Sequence, residues 1–193
     1  MTEQFKVPFP LEYGSYEDAL KLVDVRGERI YAEFTVNWEM IKVYCAMEED
    51  ANPSYWDEAY ATKQWGGIVA PPGLLLTWGM ALQWHPDKDR QHYFVAMKVP
   101  LPGDTLINVA TSTEFHRHLF LGDRLSAVDR LVEVSEEKKT RLGVGHFLTT
   151  EAEFFNQKDE LIAVTTNNMF RYYVPKESVP KESVPEKNTP EKN

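Results

Sequence analysis

Trp65 to Trp84 reads WGGIVAPPGLLLTWGMALQW, and the way this stretch folds decides the architecture of the chain. Pro72 suits a first helical position, because the N–H it lacks would have been unpaired there anyway. Behind it Leu74, Leu75, Leu76, Trp78, Met80, Ala81 and Leu82 leave almost no polar face. A helix apolar on every side is a buried helix, so the rest of the sequence has to supply what covers it.

Downstream the period changes. TLINVATSTEFHRH (Thr105–His118), DRLSAVDRLVEVSEEKKTRLG (Asp123–Gly143), VGHFLTTEAEFFNQ (Val144–Gln157) and ELIAVTTNNMFRYY (Glu160–Tyr173) are rich in Val, Thr, Phe and Tyr. Breaks at LFLGD, near GVG and at QKDE separate them, which predicts four consecutive antiparallel strands. Upstream, YAEFTVN (Tyr31–Asn37) alternates like a fifth strand and ends on Asn37, a good N-cap. The WEMIKVYCAMEE that follows sets Trp38, Ile41 and Cys45 on one helical stripe, with Met40, Tyr44 and Met47 beside it. A shorter helical turn is expected at DEAYATKQ. A curved antiparallel sheet of about five strands around one buried helix is an α+β hotdog fold, and its open edge favours pairing with a second hotdog.

The 193 residues, 42% hydrophobic and 12% aromatic, suit one domain with one sizeable core. A formal charge of -9 argues against a general grip on nucleic acid. One cysteine, Cys45, gives no disulfide framework and no Cys-rich metal site. No signal-like N-terminus and no run long enough for a membrane span are seen, so the expectation is a soluble cytoplasmic protein. Residues 1–30 are expected to be an N-terminal extension and 31–173 the domain. Residues 174–193 read VPKES, VPKES, VPEKN, TPEKN after Tyr173, a proline-punctuated repeat without large apolar residues that predicts a disordered tail.

Two features converge near the start of the buried helix. Gly66, Gly67 and Gly73 bracket IVAPP, where a helix N-terminus presents unpaired amides able to polarise a carbonyl; the plainer reading is a tight turn and close packing. The loop EEDANPSYWDEAY (Glu48–Tyr60) holds Asp50 and Asn52-Pro53 in a turn that side-chain to backbone bonds can fix; its plainer reading is a helix stop with solvated acids.

In this order, DANPSYWDEAYA, GGIVAPPGLL and GVGHFLTTEAEFFNQKDELIA resemble the MaoC-like dehydratases, the (R)-specific enoyl-CoA hydratases. The likeness is strongest to their FAS1-like N-terminal branch, which includes the larger subunit of the heteromeric hydratase of steroid side-chain degradation. It runs from about Thr35 to Tyr173. In catalytic members of that family the loop reads Asp-x-Asn-Pro-x-His, and the Asp and His together activate the water that adds across the C2–C3 bond. Here Asp50, Asn52 and Pro53 match, while Tyr55 stands in the histidine's place. The family's His-Gly at the helix entrance is Pro72-Gly73, which keeps the Gly73 amide of the oxyanion hole.

A phenol with an ordinary pKa of about 10 is a poor general base beside an imidazole of about 6.5. His85, His92, His116 and His118 show no carboxylate at a spacing that suggests a dyad, which leaves His146 in the GVGHF strand as a reserve candidate. The resemblance therefore implies a degenerate subunit of a heteromeric enoyl-CoA hydratase. It would form the pocket for a bulky acyl-CoA, with Asn52, Gly67, Pro72, Gly73 and Trp78 as binding residues, while a partner hotdog supplies the Asp/His pair in a heterodimer or heterotetramer. Two alternatives stay open: a self-sufficient homodimeric hydratase or hydroxyacyl dehydratase using Asp50 with Tyr55 or His146, and a non-catalytic acyl-CoA binding protein. No cofactor beyond the coenzyme A of the substrate and no metal is expected, and Lys138, Lys139 and Arg141 are candidates to meet its phosphates.

Overall fold

The computed structural model describes residues 11–80, 86 and 94–175. Ser15 opens the first helix, α1 (Tyr16–Leu20), through a capping box in which its hydroxyl accepts from the Asp18 amide and the Asp18 carboxylate answers to the Ser15 backbone. β1 (Ile30–Thr35) leads to α2 (Trp38–Met47), whose first turn is capped by the Asn37 side chain accepting from the Met40 amide at 3.0 Å. Two short helices follow, α3 (Pro53–Trp56) and α4 (Glu58–Trp65). Pro72 then starts a 3₁₀ turn, Pro72–Leu74, that runs into α5 (Leu75–Gly79). After α6 (Val95–Lys98) come β2 (Thr105–Phe115), β3 (Arg124–Val134), β4 (Lys138–Lys139), β5 (Val144–Phe155) and β6 (Leu161–Tyr173).

All of these strands belong to one antiparallel sheet ordered β1-β3-β5-β6-β2, with the two-residue β4 added beside β5. The run Asp123–Gly143, read as one strand, is two: β3 ends at Val134, and the charged SEEKK that follows makes only the short β4. The described sheet is therefore six strands rather than about five. β2 and β3 are neighbours in the chain but not in the sheet, so residues 116–123 cross beneath it. The segment before α5 holds that crossing in place. The Ala70 amide donates to the Leu119 carbonyl at 2.7 Å and the Leu121 amide to the Ile68 carbonyl at 3.0 Å. Thus the IVAPP loop, the crossover and the start of α5 form one unit.

Strand pairing fixes which residues share the helix-covered face. Asp129 lies opposite Ala152, Thr150 opposite Asn167, and Phe154 between Ala127 and Ala163. With a side-chain period of two, these residues face the helices. At one end of this face Ile41, Cys45, Leu74, Leu75, Trp78 and Phe154 form a buried cluster; at the other, Ala19, Ala96, Val99, Leu101, Leu131 and Leu148 form a second. α5 packs tightly on the sheet, because a Cβ on Gly79 would run into the Phe154 ring.

The helix is not apolar-buried on every side. Leu74, Leu75 and Trp78 are buried, whereas Leu76 is 42% exposed and Thr77 is exposed. The helix ends at Gly79, where Met80 is extended, earlier than the apolar run predicts; Ala81, Leu82 and Trp84 of that run lie outside the described residues, as do His85, His92 and the repeat tail beyond Pro175. Residues 11–30, expected as an extension, are packed on the domain: Ala19 is fully buried, and Val23 and Arg26 bridge to Leu131 and Arg130 of β3.

Candidate functional site

The loop after α2 is held by backbone and indole bonds. Glu49 turns into the left-handed region at φ 55°, and the Asp50 amide donates back to the Cys45 carbonyl at 2.8 Å, closing the helix. The Asp50 carboxylate accepts from the Asn52 amide at 2.9 Å, and the Asn52 side chain accepts from the Ser54 amide at 3.0 Å, capping α3. Three tryptophans brace the turn from outside it. The Trp56 indole donates to the Asp50 carbonyl at 2.7 Å, Trp65 to the Ser54 hydroxyl at 3.0 Å and Trp38 to the Tyr55 carbonyl at 3.1 Å. Asp57, the second acid of the loop, caps α4 by accepting from the Tyr60 amide at 3.0 Å.

This bracing brings Asp50 and Tyr55 together, with Cys45 and Tyr44 beside them. Tyr55 is half-buried, and its phenol is pushed above the ordinary value by burial first, then by the charge of Asp50. The Cys45 thiol is pushed up for the same two reasons in the same order. Both shifts hold these groups in their protonated forms, so Tyr55 is even less available as a general base near neutral pH than a phenol in water.

Gly73 joins this group from α5. The hydroxyl of Tyr44 stands where a Cβ on residue 73 would be, so any larger residue there has to displace the phenol. Tyr44 thus belongs to the site, although nothing in its sequence context singled it out. Pro71 and Leu74 give no side-chain cap to this helical start; Pro72 has no N–H, and the Leu74 and Leu75 amides donate to the Pro71 and Pro72 carbonyls, which leaves the Gly73 amide as the one to be met by something else among the described residues. Pro72 and Gly73 are exposed. Gly66 is the left-handed C-cap of α4 at φ 91°, while half-buried Gly67 faces the Phe120 ring.

Two predicted residues lie elsewhere. The His146 ring is buried, bonded through Nδ1 to the Ser135 carbonyl at 2.9 Å and stacked on Tyr16 at 5.4 Å, next to the second cluster. It is not brought to Asp50, which sits against the first. Trp78 is 1% exposed within the first cluster, and its indole N–H finds no partner among the described residues. His116 lies at the exposed end of β2, 3.9 Å from the Glu114 carboxylate, and His118 packs on Trp65 at 4.6 Å. Lys138, Lys139 and Arg141 are exposed around β4.

Between the two clusters the helix-covered face of the sheet opens into a cavity of about 350 Å³. Leu76, Gly79 and Met80 wall it on the α5 side, Phe94 to Met97 at α6, and residues of β2, β3, β5 and β6 form its floor. It is mostly apolar and falls in the lower part of the range of pockets, about 300–1,000 Å³, that bury drug-sized ligands. The Asp50 loop opens separately, onto a surface groove with Cys45, Pro53 and Trp56. Outside the loop, α2 shows Met40, Val43 and Met47 to solvent at i, i+3 and i+7, a stripe that faces away from its own core. β2 is likewise exposed over most of its length and, among the described residues, leaves one edge of the sheet unpaired.

Among the described residues no three His, Cys, Asp or Glu side chains converge as metal ligands would, and no helix is long and apolar enough to cross a membrane.

A family model described as "FAS1-like, dehydratase domain region" matches residues 27–165. The probable enoyl-CoA hydratase alpha subunit of Thermomonospora curvata is 32% identical over 153 residues, which cover 76% of this chain and 48% of that protein. The 3-oxo-4,17-pregnadiene-20-carboxyl-CoA hydratase alpha subunit of Mycobacterium tuberculosis is 34% identical over 117 residues, covering 58% and 37%. The chain therefore spans about half or less of the curated relatives it matches. A chain of the ChsH1-ChsH2 complex from Mycobacterium tuberculosis superposes with a TM-score of 0.66 at 23% identity, covering 84% of this chain and 97% of that one. That likeness shows the fold, a hotdog. The match over residues 27–165 takes in β1, the Asp50 loop, the Gly73 entrance and most of the sheet, and the chain belongs to the FAS1-like dehydratase family.

Proposed function

We propose that this chain is the non-catalytic, pocket-forming subunit of a heteromeric (R)-type enoyl-CoA hydratase. A partner hotdog supplies the Asp/His pair that adds water across the C2–C3 bond of the enoyl thioester: hydroxide to C3, a proton to C2. The observation that carries this reading is the Asp50–Tyr55 loop. Its turn is fully braced, yet the position that should hold the base carries a phenol that burial and Asp50 keep protonated. A loop kept rigid without its base acts as wall and contact surface.

The cavity beside α5 suits a bulky, ring-bearing acyl group, and the substrate named for the Mycobacterium tuberculosis relative is of that kind. On the side of the Asp50 loop, which opens apart from this cavity, Asn52, Gly67, Pro72 and Gly73 are assigned to the thioester end of the substrate, with the Gly73 amide as donor to its oxygen. The unpaired edge of β2 and the Met40, Val43, Met47 stripe are the surfaces offered to the partner. Beyond coenzyme A as part of the substrate, the chemistry needs no cofactor, and it suits a cytoplasmic setting. Co-purification from the native host tests this reading. A second hotdog-sized subunit carrying hydratase activity with it is the expected result, and full activity in a homodimer overturns it.

A further inference from the structure

The floor of the cavity is not uniformly apolar. Across its middle runs a row of polar side chains on adjacent strands: Asp129 on β3, Thr150 on β5, and Asn167 on β6, which continues through Thr111 to Asn108 on β2. Thr150 and Asn167 are direct cross-strand neighbours, and Asp129 lies one residue pair further along, opposite Ala152. The row separates the two apolar clusters, at positions where the alternation of each strand calls for an inward, apolar residue. Three polar side chains placed this way weaken a core unless something pairs with them.

Their own bonds leave capacity over. Asn108 donates to the Thr111 hydroxyl at 2.8 Å, and Thr111 donates to the Asn167 side-chain oxygen at 2.7 Å, so the Asn167 amide nitrogen remains available. One Asp129 oxygen accepts from the Val95 amide at 2.7 Å, and the other stands against Gly27 with the residue's own backbone amide as a donor, so each oxygen keeps a lone pair to accept with; the Thr150 hydroxyl meets no partner among the described residues. The cavity therefore offers an acceptor, a donor and a hydroxyl that serves as either, along one line in an apolar chamber. Burial raises the Asp129 carboxyl above its ordinary value.

The geometry points to Asp129, Thr150 and Asn167 as specificity-determining residues that seat a hydroxyl carried on the ring body of the bulky acyl group. The hydroxyl donates to Asp129 and accepts from Thr150 or Asn167, while the two clusters grip the apolar rings on either side. This inference rests on the reading of the cavity as the acyl pocket.

The test uses the full chain purified from its host, with any subunit it carries, and two probes titrated by calorimetry: lithocholic acid and cholanic acid, which lacks only the ring hydroxyl. The expected result is a preference for lithocholic acid of about tenfold or more. Thr150→Val and Asp129→Asn should each cut that preference below about threefold without weakening cholanic acid. Asp129→Asn keeps an acceptor for the Val95 amide, so it guards against a loss that is merely structural. Equal binding of the two acids by the wild type, or a preference that survives in both variants, overturns the polar row as a recognition element and leaves the subunit reading in place. Binding of neither acid overturns the acyl pocket as well.

Discussion

The hydroxyl of Tyr44 on α2 occupies the space that a side chain on Gly73 at the start of α5 would need. Helix α2 and the entrance to α5 are thus locked together through one phenol, and the loop carrying Asp50 and Tyr55 is strung from the end of α2. Gly73→Ala should destabilise the fold by about 1–3 kcal/mol through overpacking. Removing the offending oxygen with Tyr44→Phe should recover a large part of that loss in the double variant. Urea denaturation of the four proteins of this cycle measures the coupling, and additive losses would show that the two residues do not press on one another.

Asp129 carries a pH signature. Its carboxyl holds its proton more tightly in the folded chain than an ordinary carboxylate, because burial outweighs the help of the Val95 amide. The folded state thus binds a proton that the unfolded state has already released. That contribution is fully present below the ordinary value of about 3.9 and is lost as pH rises through the raised folded value. Asp129→Asn, which cannot titrate, should gain stability relative to wild type on going from about pH 3.5 to about pH 7. Denaturation midpoints that differ by the same amount at both pH values would contradict this.

Exposure of β2 makes a prediction about assembly. Among the described residues Thr105–Phe115 pairs with β6 on one side only, so the outward amides of β2 should exchange with deuterium quickly in the isolated chain. In the assembled complex they should be protected. Exchange by mass spectrometry on the peptide spanning residues 105–115 reads this directly, and unchanged exchange would move the partner's contact elsewhere.

Tyr55 separates a wall from a base. Tyr55→Phe keeps the ring and its packing and removes only the titrating oxygen, so the activity of the complex should stay within about threefold of wild type. A loss of 10²-fold or more, the usual size of a general acid or base contribution, would assign catalysis to this phenol.

The strands were readable because their alternation is long and regular. Thr105–Phe115 and Leu161–Tyr173 lie inside the runs that predict them. What alternation does not carry is strand order. The crossing that sends β2 to the far edge depends on backbone bonds between Ile68, Ala70 and residues 119–121, which no periodic pattern encodes. The Asp50 loop was legible through its turn residues, but Tyr44 was not, since its part depends on a contact with Gly73 nearly thirty residues away. Asp129, Thr150 and Asn167 left a signal of another kind. Each is a polar residue at a position whose strand period calls for an apolar one, but only pairing across three strands turns separate exceptions into a row. His146 misled because residue type drew attention to it, whereas its strand face places it beneath Tyr16.

A hydration assay on a bulky 2-enoyl-CoA, run with this chain alone and with the subunit that co-purifies with it, decides whether the Asp50 loop is a wall or an active site. No turnover above background is expected from the chain alone, and robust hydration from the complex, abolished when the partner's Asp/His pair is substituted and only mildly altered by Asp50→Asn here. Full activity of the chain alone, lost on Asp50→Asn, would contradict the reading as a wall and make this loop a working active site.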